Sequence, residues 1–293
     1  MSKKKVALIG SNGQLGTDIV KVFTKDKFFA LIPLAHQDIE ISDANSIKKV
    51  LNQINPHIII NTAAYNKVDE GEFDPQKAFL INGLPNKYLG QYCEEKNIVF
   101  TYISTDYVFG LDKKREKPYK ESDCPGPINA YGISKLAGEH FTSYTCSKYF
   151  IIRSSGLFGT AGSKGKGGNF VELMLSLAKE KDHVRVVNDQ IVSPTYTLDL
   201  AKQIFKLIKT DAFGLYHATA QGQCSWYEFA KEIFALTKTK VKLEPVSSAE
   251  FPTPAKRAHF SVLKNENLKK LGIDIMRNWQ EGLQDYLKEK GYR

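Results

Sequence analysis

Val6-Ala-Leu-Ile9 runs directly into Gly10-Ser-Asn-Gly13-Gln-Leu-Gly16, and the residues that follow, Gln14–Phe23, carry a helical pattern. The apolar run reads as a buried strand. The turn is G-x-x-G-x-x-G and not the G-x-G-x-x-G dinucleotide fingerprint. Its physical demands are the same. Glycine permits a tight turn and lets backbone approach a pyrophosphate, and the helix N-terminus offers unpaired N–H groups with a partial positive charge. A glycine triplet alone is also compatible with a plain strand–helix turn. Its position after the first strand favours a dinucleotide site, with Gly10, Gly13 and Gly16 along the pyrophosphate and Gln14 and Leu15 offering backbone N–H groups.

Outward from that turn, short β-branched runs alternate with helical patterns. Val6–Ile9, Phe29–Leu34, Ile58–Ile60, Val99–Ile103 and Tyr149–Ile152 read as strands, and Gln14–Phe23, Asp43–Ile54, Pro75–Leu80, Pro85–Glu95 and Tyr131–Ser143 as helices. Asp74-Pro75 supplies an N-cap followed by proline at the first helical position. The alternation predicts an α/β fold, a Rossmann-like doubly wound parallel sheet over residues 1–155. Residues 156–293 are expected to form a smaller, mixed α/β substrate-binding lobe, with some segments returning to the first domain. Helices are expected at Phe170–Lys179, Leu198–Ile208, Trp226–Leu236 and Asn278–Lys288, and Ser225-x-x-Glu228 fits a capping box. Gly156–Gly168, rich in glycine and lysine, reads as a mobile loop.

Composition narrows the function classes. The chain has 293 residues, 42% hydrophobic and 25% charged, which is ordinary for a globular protein. The net charge of +9 comes from lysines spread along the chain, so no nucleic-acid-binding face is expected. The modest attraction is rather for a pyrophosphate-bearing substrate. Cys93, Cys124, Cys146 and Cys224 are scattered and read as reduced thiols. The histidines form no HxxxH or HExxH pattern, so no catalytic metal is expected. No run is long and apolar enough for a signal peptide or a membrane span, which points to the cytoplasm and away from a membrane partner.

The chemistry is carried by Tyr131-Gly-Ile-Ser-Lys135. Residues four apart share a helix face. A lysine ammonium beside a tyrosine favours the phenolate, which suits the phenol to proton exchange with a carbonyl or alcohol oxygen, and the lysine also reaches toward a nicotinamide ribose. Y-x-x-x-K alone is common and is often only a surface pair. Here the strand Val99–Ile103 ends at Ser104-Thr105-Asp106, and open α/β sheets place their chemistry at strand carboxyl ends. Thr105 could then hold a substrate oxygen beside Tyr131. The second strand ends at Pro33-Leu34-Ala35-His36, with neither carboxylate nor arginine, and Asp38 and Glu40 follow. NADH and NADPH both remain open.

These motifs together resemble the extended short-chain dehydrogenase/reductases, and within them the dTDP-4-dehydrorhamnose reductase family. The strings that carry the resemblance include Gly13-Gln-Leu-Gly16, Asn61-Thr-Ala-Ala-Tyr65, Leu80-Ile-Asn82, Ser104-Thr-Asp-Tyr-Val-Phe109, Pro127-x-Asn129-x-Tyr131-Gly-x-Ser-Lys135, Asn188-Asp-Gln190, Gly214-x-Tyr-His217 and Pro252-Thr-Pro-Ala-x-Arg257. They cover nearly the whole chain. The resemblance implies NAD(P)H-dependent reduction of the C4 keto group of a nucleotide-linked deoxysugar. Tyr131 would be the proton donor, Lys135 would bind ribose and tune Tyr131, and Thr105 would orient the carbonyl.

The resemblance further implies a cofactor wall of Gly10, Asn12, Gly13, Gln14, Leu15, Gly16, Glu40, Ile41, Ala63, Ala64, Tyr65 and Asn82. Substrate would meet Thr105, Asp106, Tyr107, Gly156, Asn169 and Arg257. Related sugar dehydratases carry Glu where this chain has Tyr107, and its absence favours reduction over elimination of water. The chain departs from the family at Gly156, which stands where a tryptophan is usual. It also departs at Glu70 after Val68-Asp69 and at Ala258 after Arg257. Alternatives are an NADP-binding regulatory subunit without turnover and a nucleotide-sugar epimerase. The oligomeric state is open, a homodimer included.

Overall fold

The computed structural model describes residues 3–162 and 167–293. The first half holds β1 (Lys4–Ile9), α1 (Gln14–Phe23), β2 (Phe29–Leu34), α2 (Ala44–Ile54), β3 (Ile58–Asn61), α3 (Glu70–Phe73), α4 (Pro75–Asn82), α5 (Leu84–Lys96), β4 (Val99–Thr105), α6 (Ala130–Thr145) and β5 (Tyr149–Ser154). The second holds β6 (Leu157–Phe158), α7 (Phe170–Glu180), β7 (His183–Val187), β8 (Ile191–Val192), β9 (Thr195–Tyr196), α8 (Thr197–Leu207), β10 (Gly214–His217), β11 (Cys224–Ser225), α9 (Trp226–Thr237), β12 (Lys242–Val246), α10 (Glu266–Lys270) and α11 (Trp279–Glu289).

Among the described residues the main sheet has the order β10-β5-β4-β3-β1-β2, with every pairing parallel. The chain runs outward from β1 to β2, then crosses to β3 on the other side of β1. Strand direction of travel therefore reverses at β1/β3, and a crevice opens beyond the carboxyl ends there. Val6–Ile9 and Ile58–Ile60 are buried on both faces, which is why each reads as an unbroken apolar run.

Helices cover both faces. Leu15, Ile19 and Phe23, four apart along α1, bury one stripe against the sheet together with Leu200, Ala201, Ile204 and Leu207 of α8. On the opposite face, Ile47 and Leu51 of α2 and Leu89, Tyr92 and Cys93 of α5 pack against Ala7, Ile9, Ile59 and Phe100. Thus α8 and β10, from the second half of the chain, complete the first half's layers.

The remaining second-half elements form their own core around Phe158, Val171, Met174, Tyr196, Phe229, Ile233, Trp279, Leu283 and Tyr286. Short pairs frame it: β7 with β12 and β6 with β9 in parallel, β8 with β11 antiparallel. The capping box at Ser225 and Glu228 is formed, each side chain bonded to the other residue's backbone N–H. Of the expected mobile loop Gly156–Gly168, positions 163–166 lie outside the described residues. Among the described residues no helix is long and apolar enough to cross a membrane. Among them, too, no group of three His, Cys, Asp or Glu side chains could hold a metal ion.

Candidate active site

A cleft of about 1160 Å³ lies along the carboxyl ends of β1, β3 and β4, between the sheet and the second lobe. Gly10, Asn12, Gly13, Gln14 and Leu15 line one end. Gly10 holds φ +81°, and a Cβ there would stand 2.8 Å from the Ala63 nitrogen, so both backbone shape and the proximity of β3's end require glycine. Gly13 caps α1 with no side chain bonded to the first turn, which leaves the helix's leading N–H groups facing the cleft. Glycine at this turn, an uncapped helix start and an adjoining apolar wall of Ile9, Ile41 and Ala63 suit a dinucleotide pyrophosphate.

The wall continues through His36, Glu40, Ile41, Ala63 and Ala64. Glu40 accepts from the backbone N–H and hydroxyl of Ser42 at 2.9 and 2.7 Å, which hold its carboxyl below the usual range. Its other oxygen lies 3.7 Å from the His36 imidazole. Three residues expected on the cofactor wall stand behind it. Gly16 packs on the turn itself, its Cβ position 2.2 Å from the Gly10 carbonyl oxygen. Asn82 is fully buried. It bonds the backbone N–H and carbonyl of Tyr65 at 2.8 and 3.0 Å and the Ser134 hydroxyl at 3.0 Å, so it fixes the loop after β3 to α6. Tyr65 turns its hydroxyl to Glu70.

At the cleft's centre, β4 ends and a single 3₁₀ turn presents Thr105, Asp106 and Tyr107. Opposite, α6 begins at Asn129, whose side chain caps the Gly132 N–H at 2.8 Å. Tyr131 then lies in the first turn and Lys135 one turn on. The Tyr131 phenol faces the Thr105 hydroxyl, and the rings of Tyr131 and Tyr107 meet edge to face at 5.4 Å. Lys135 is buried at 2% exposure and donates to the Ile103 carbonyl at 2.6 Å, with its ammonium 4.3 Å from the Tyr102 ring.

The electrostatics differ from the expectation that lysine lowers the tyrosine. Desolvation raises the Tyr131 phenol well above its usual value, with the Thr105 hydroxyl beside it opposing. Burial pulls the Lys135 ammonium down to about 7, opposed by the Glu139 carboxylate. That carboxylate is paired by Arg153 at 2.8 and 2.6 Å and by the Ser104 hydroxyl at 2.5 Å, which braces the ends of β4 and β5 beneath the site. Spacing put Lys135 and Tyr131 on one face; it could not say that both groups are taken out of water.

Asp106 lines the cleft, yet its carboxylate is buried and already accepts from Thr105, Ser155 and Ser261. Its structural part is to hold Thr105. Asn169 caps α7 through Val171 and Glu172 and donates to the Gly159 carbonyl at 3.0 Å. Gly156 lines the cleft with backbone only. It holds φ +55°, and a Cβ would meet Pro194 Cα at 3.1 Å, so a tryptophan at this position would need a different backbone. Arg257 reaches the cleft and donates to Asp69 at 3.1 and 2.8 Å.

Reading the sequence found Gly156, Asn169 and Arg257 on the cleft's second-lobe side but missed the rest of it. Phe170, Leu173, Ser176 and Lys179 of α7, Trp226 at the start of α9, Gln190, Ser261 and Tyr292 all line it. The Phe170 and Trp226 rings lie 4.6 Å apart. The formed capping box places Trp226 at the first helical position, but no local signal turns it toward the cleft.

Comparison with known proteins agrees with this architecture. The family model described as RmlD substrate binding domain matches residues 4–291. A spore coat polysaccharide biosynthesis protein of Bacillus subtilis, SpsK, is 37% identical over 286 residues, 98% of each chain. The dTDP-4-dehydrorhamnose reductase of Escherichia coli is 32% identical over 297 residues, 97% of each chain. The crystal structure of dTDP-4-dehydrorhamnose reductase from Bacillus anthracis in complex with NADP superposes with a TM-score of 0.92 at 39% identity, covering 98% of this chain and 100% of that one. The model match over residues 4–291 and the full-length matches to named reductases show that the chain belongs to the dTDP-4-dehydrorhamnose reductase family.

Proposed function

We propose that this protein is an NAD(P)H-dependent oxidoreductase that reduces the C4 keto group of a nucleotide-linked 6-deoxysugar, dTDP-4-dehydro-L-rhamnose to dTDP-L-rhamnose. The observation that carries the reading is the convergence of Thr105, Tyr131 and Lys135 at the end of β4 in one cleft with the Gly10–Leu15 turn. The relatives named as reductases of that sugar, and the NADP complex among them, support both the substrate and the cofactor.

The chain's own residues divide the work. Backbone N–H groups at the start of α1 hold the pyrophosphate, and Glu40 accepts from the adenine-side ribose. Lys135 binds the other ribose. The nicotinamide, when bound, supplies the hydride to C4. Thr105, turning its hydroxyl proton from Asp106 to the substrate, holds the carbonyl oxygen in line. Tyr131 gives its phenolic proton to that oxygen as negative charge develops there. A phenol whose proton is held more tightly than usual stays protonated across the neutral range, which suits a donor. Lys135 and Asp106 remain positioning groups for this transfer.

The test is direct. Purified protein with NADPH or NADH and dTDP-4-dehydro-L-rhamnose should consume the reduced nicotinamide, followed by its absorbance. Tyr131→Phe removes only the hydroxyl and should lower kcat by ~10²–10⁴-fold while NADPH affinity survives. NADPH binding without turnover on any 4-keto-6-deoxysugar would replace the enzyme by a cofactor-binding subunit.

A further inference from the structure

Asp69 stands at the start of α3, outside the residues described as lining the cleft, and is 41% exposed at its side chain. Its carboxylate nevertheless organises a chain of contacts that ends beside Tyr131. Oδ1 accepts from Arg257 Nη1 at 3.1 Å and from the Ala255 N–H at 3.1 Å; Oδ2 accepts from Arg257 Nη2 at 2.8 Å. Two parallel N–H···O bonds fix a guanidinium plane as a single contact cannot. Arg257 also bonds the Ala255 carbonyl at 3.0 Å, and the Asn129 amide donates to the Lys256 carbonyl at 2.8 Å. The segment bearing Arg257 is thereby tied to α3 and to the cap of the helix that carries Tyr131.

Held this way, the Arg257 guanidinium lies beside the Tyr107 phenol, where its charge opposes the rise that burial gives that group. Arginine has no acceptor, so a bond between the two runs from its N–H to the phenolic oxygen. The phenolic proton of Tyr107 is then left to be donated elsewhere. Tyr107 meets Tyr131 edge to face at 5.4 Å, and its backbone N–H donates to the Thr105 hydroxyl at 3.2 Å. Its hydroxyl is therefore a second donor at the mouth of the same catalytic cluster.

We infer that Asp69 is a positioning residue of the reductase site: by clamping Arg257 it occupies the Tyr107 oxygen as an acceptor and aims the Tyr107 O–H at an oxygen of the bound ketosugar. The inference rests on the proposed reduction. It assigns a task in ketosugar recognition to a partly exposed carboxylate that touches neither substrate nor cofactor. Asp69→Asn keeps the size, removes the charge, and offers only one acceptor oxygen to the paired N–H groups.

The experiment is a cycle of Asp69→Asn, Tyr107→Phe and the double variant, with KM, kcat and NADPH affinity measured on each. Asp69→Asn should raise KM for the ketosugar by about ten-fold, the scale of one charge-assisted hydrogen bond, with kcat and NADPH affinity changed by less than about two-fold. On the Tyr107→Phe background the same substitution should add nothing. Arg257→Lys, which cannot form the paired contact, should match Asp69→Asn. An unchanged KM, an equal increment on the Tyr107→Phe background, or a parallel loss of NADPH affinity would overturn the inference, because a merely structural clamp gives the last two. The two readings fail differently. If wild type reduces the ketosugar and Asp69→Asn is indifferent, only this inference falls. If wild type neither reduces the ketosugar nor binds dTDP-L-rhamnose by calorimetry, the reaction falls and the inference with it.

Discussion

Lys135 carries an amine into surroundings that disfavour its charge. It is 2% exposed, it lies against the Tyr102 ring, and the Glu139 carboxylate one turn away is already engaged by Arg153. Burial brings its pKa from the ordinary 10.5 to about 7. Below pH 7 the amine is charged in both folded and unfolded chains, and the fold bears the full desolvation cost. As pH rises from 7 toward 10.5, the unfolded chain keeps the proton and the folded one sheds it, so stability rises by at most ~1.4 kcal/mol per pH unit from this group. The buried Cys93 and Cys146 thiols, pushed above their ordinary 9.0, oppose the trend above that pH. Between pH 7 and 9, then, the cofactor-free wild type should gain more denaturation-midpoint stability than Lys135→Met. Equal slopes in urea titrations at the two pH values would show that Lys135 is solvated. The Y-x-x-x-K spacing made the pair legible in the sequence. Depth was not legible, because it is set by Ile103, Tyr102 and Glu139, which come from other elements or another turn.

At the scale of elements, the β1–α1 turn is where local sequence and site coincide. Its glycines, the apolar strand before it and the Leu15–Ile19–Phe23 stripe after it are all consecutive, so strand, turn and helix could be read directly. A Cβ on Gly13 would stand 3.2 Å from the Gly10 oxygen, and a branched side chain there would project where the pyrophosphate is to sit. Gly13→Val should weaken NADPH binding by at least about ten-fold, or ~1.4 kcal/mol, in a fluorescence titration, with the far-ultraviolet circular dichroism spectrum unchanged. Retained affinity would move the cofactor away from this turn. The same reasoning explains what was missed. β6, β8, β9 and β11 are two residues each, too short for any period to show. Gly214–His217 is a recognisable string, but nothing in it says that it docks beside β5.

For the whole molecule, the division near residue 155 describes the sequence better than the packing. β10 pairs with β5, α8 lies on α1, and one core spans Val6, Ile19, Phe150, Leu200, Ile204, Leu268 and Met276. A fragment of residues 1–155 would expose that face of α1 and leave β5 as an open, apolar sheet edge. It should therefore show no cooperative thermal transition, whereas the full chain melts with one. A fragment that melts sharply and binds NADPH would establish the first half as independent. Beyond Gly156, Asn169 and Arg257, the second-lobe side of the cleft was hidden for the same reason. Phe170, Trp226, Ser261 and Tyr292 are far apart in the chain, and each reads alone as ordinary core or surface.

The clamp between Asp69 and Arg257 also sets a clock on biosynthesis. A ribosome emits the glycine turn, Thr105, Tyr131 and Lys135 well before it emits Arg257 and Ser261, which finish the cleft by folding back onto Asp69 and Asp106. A nascent chain that has only its early segments outside the exit tunnel holds the makings of a cofactor cradle but not yet the parts that aim Tyr107 and brace Asp106. The contacts that hold a sugar in place thus arrive late in translation, so prematurely terminated copies would bind a sugar more weakly than the full chain does.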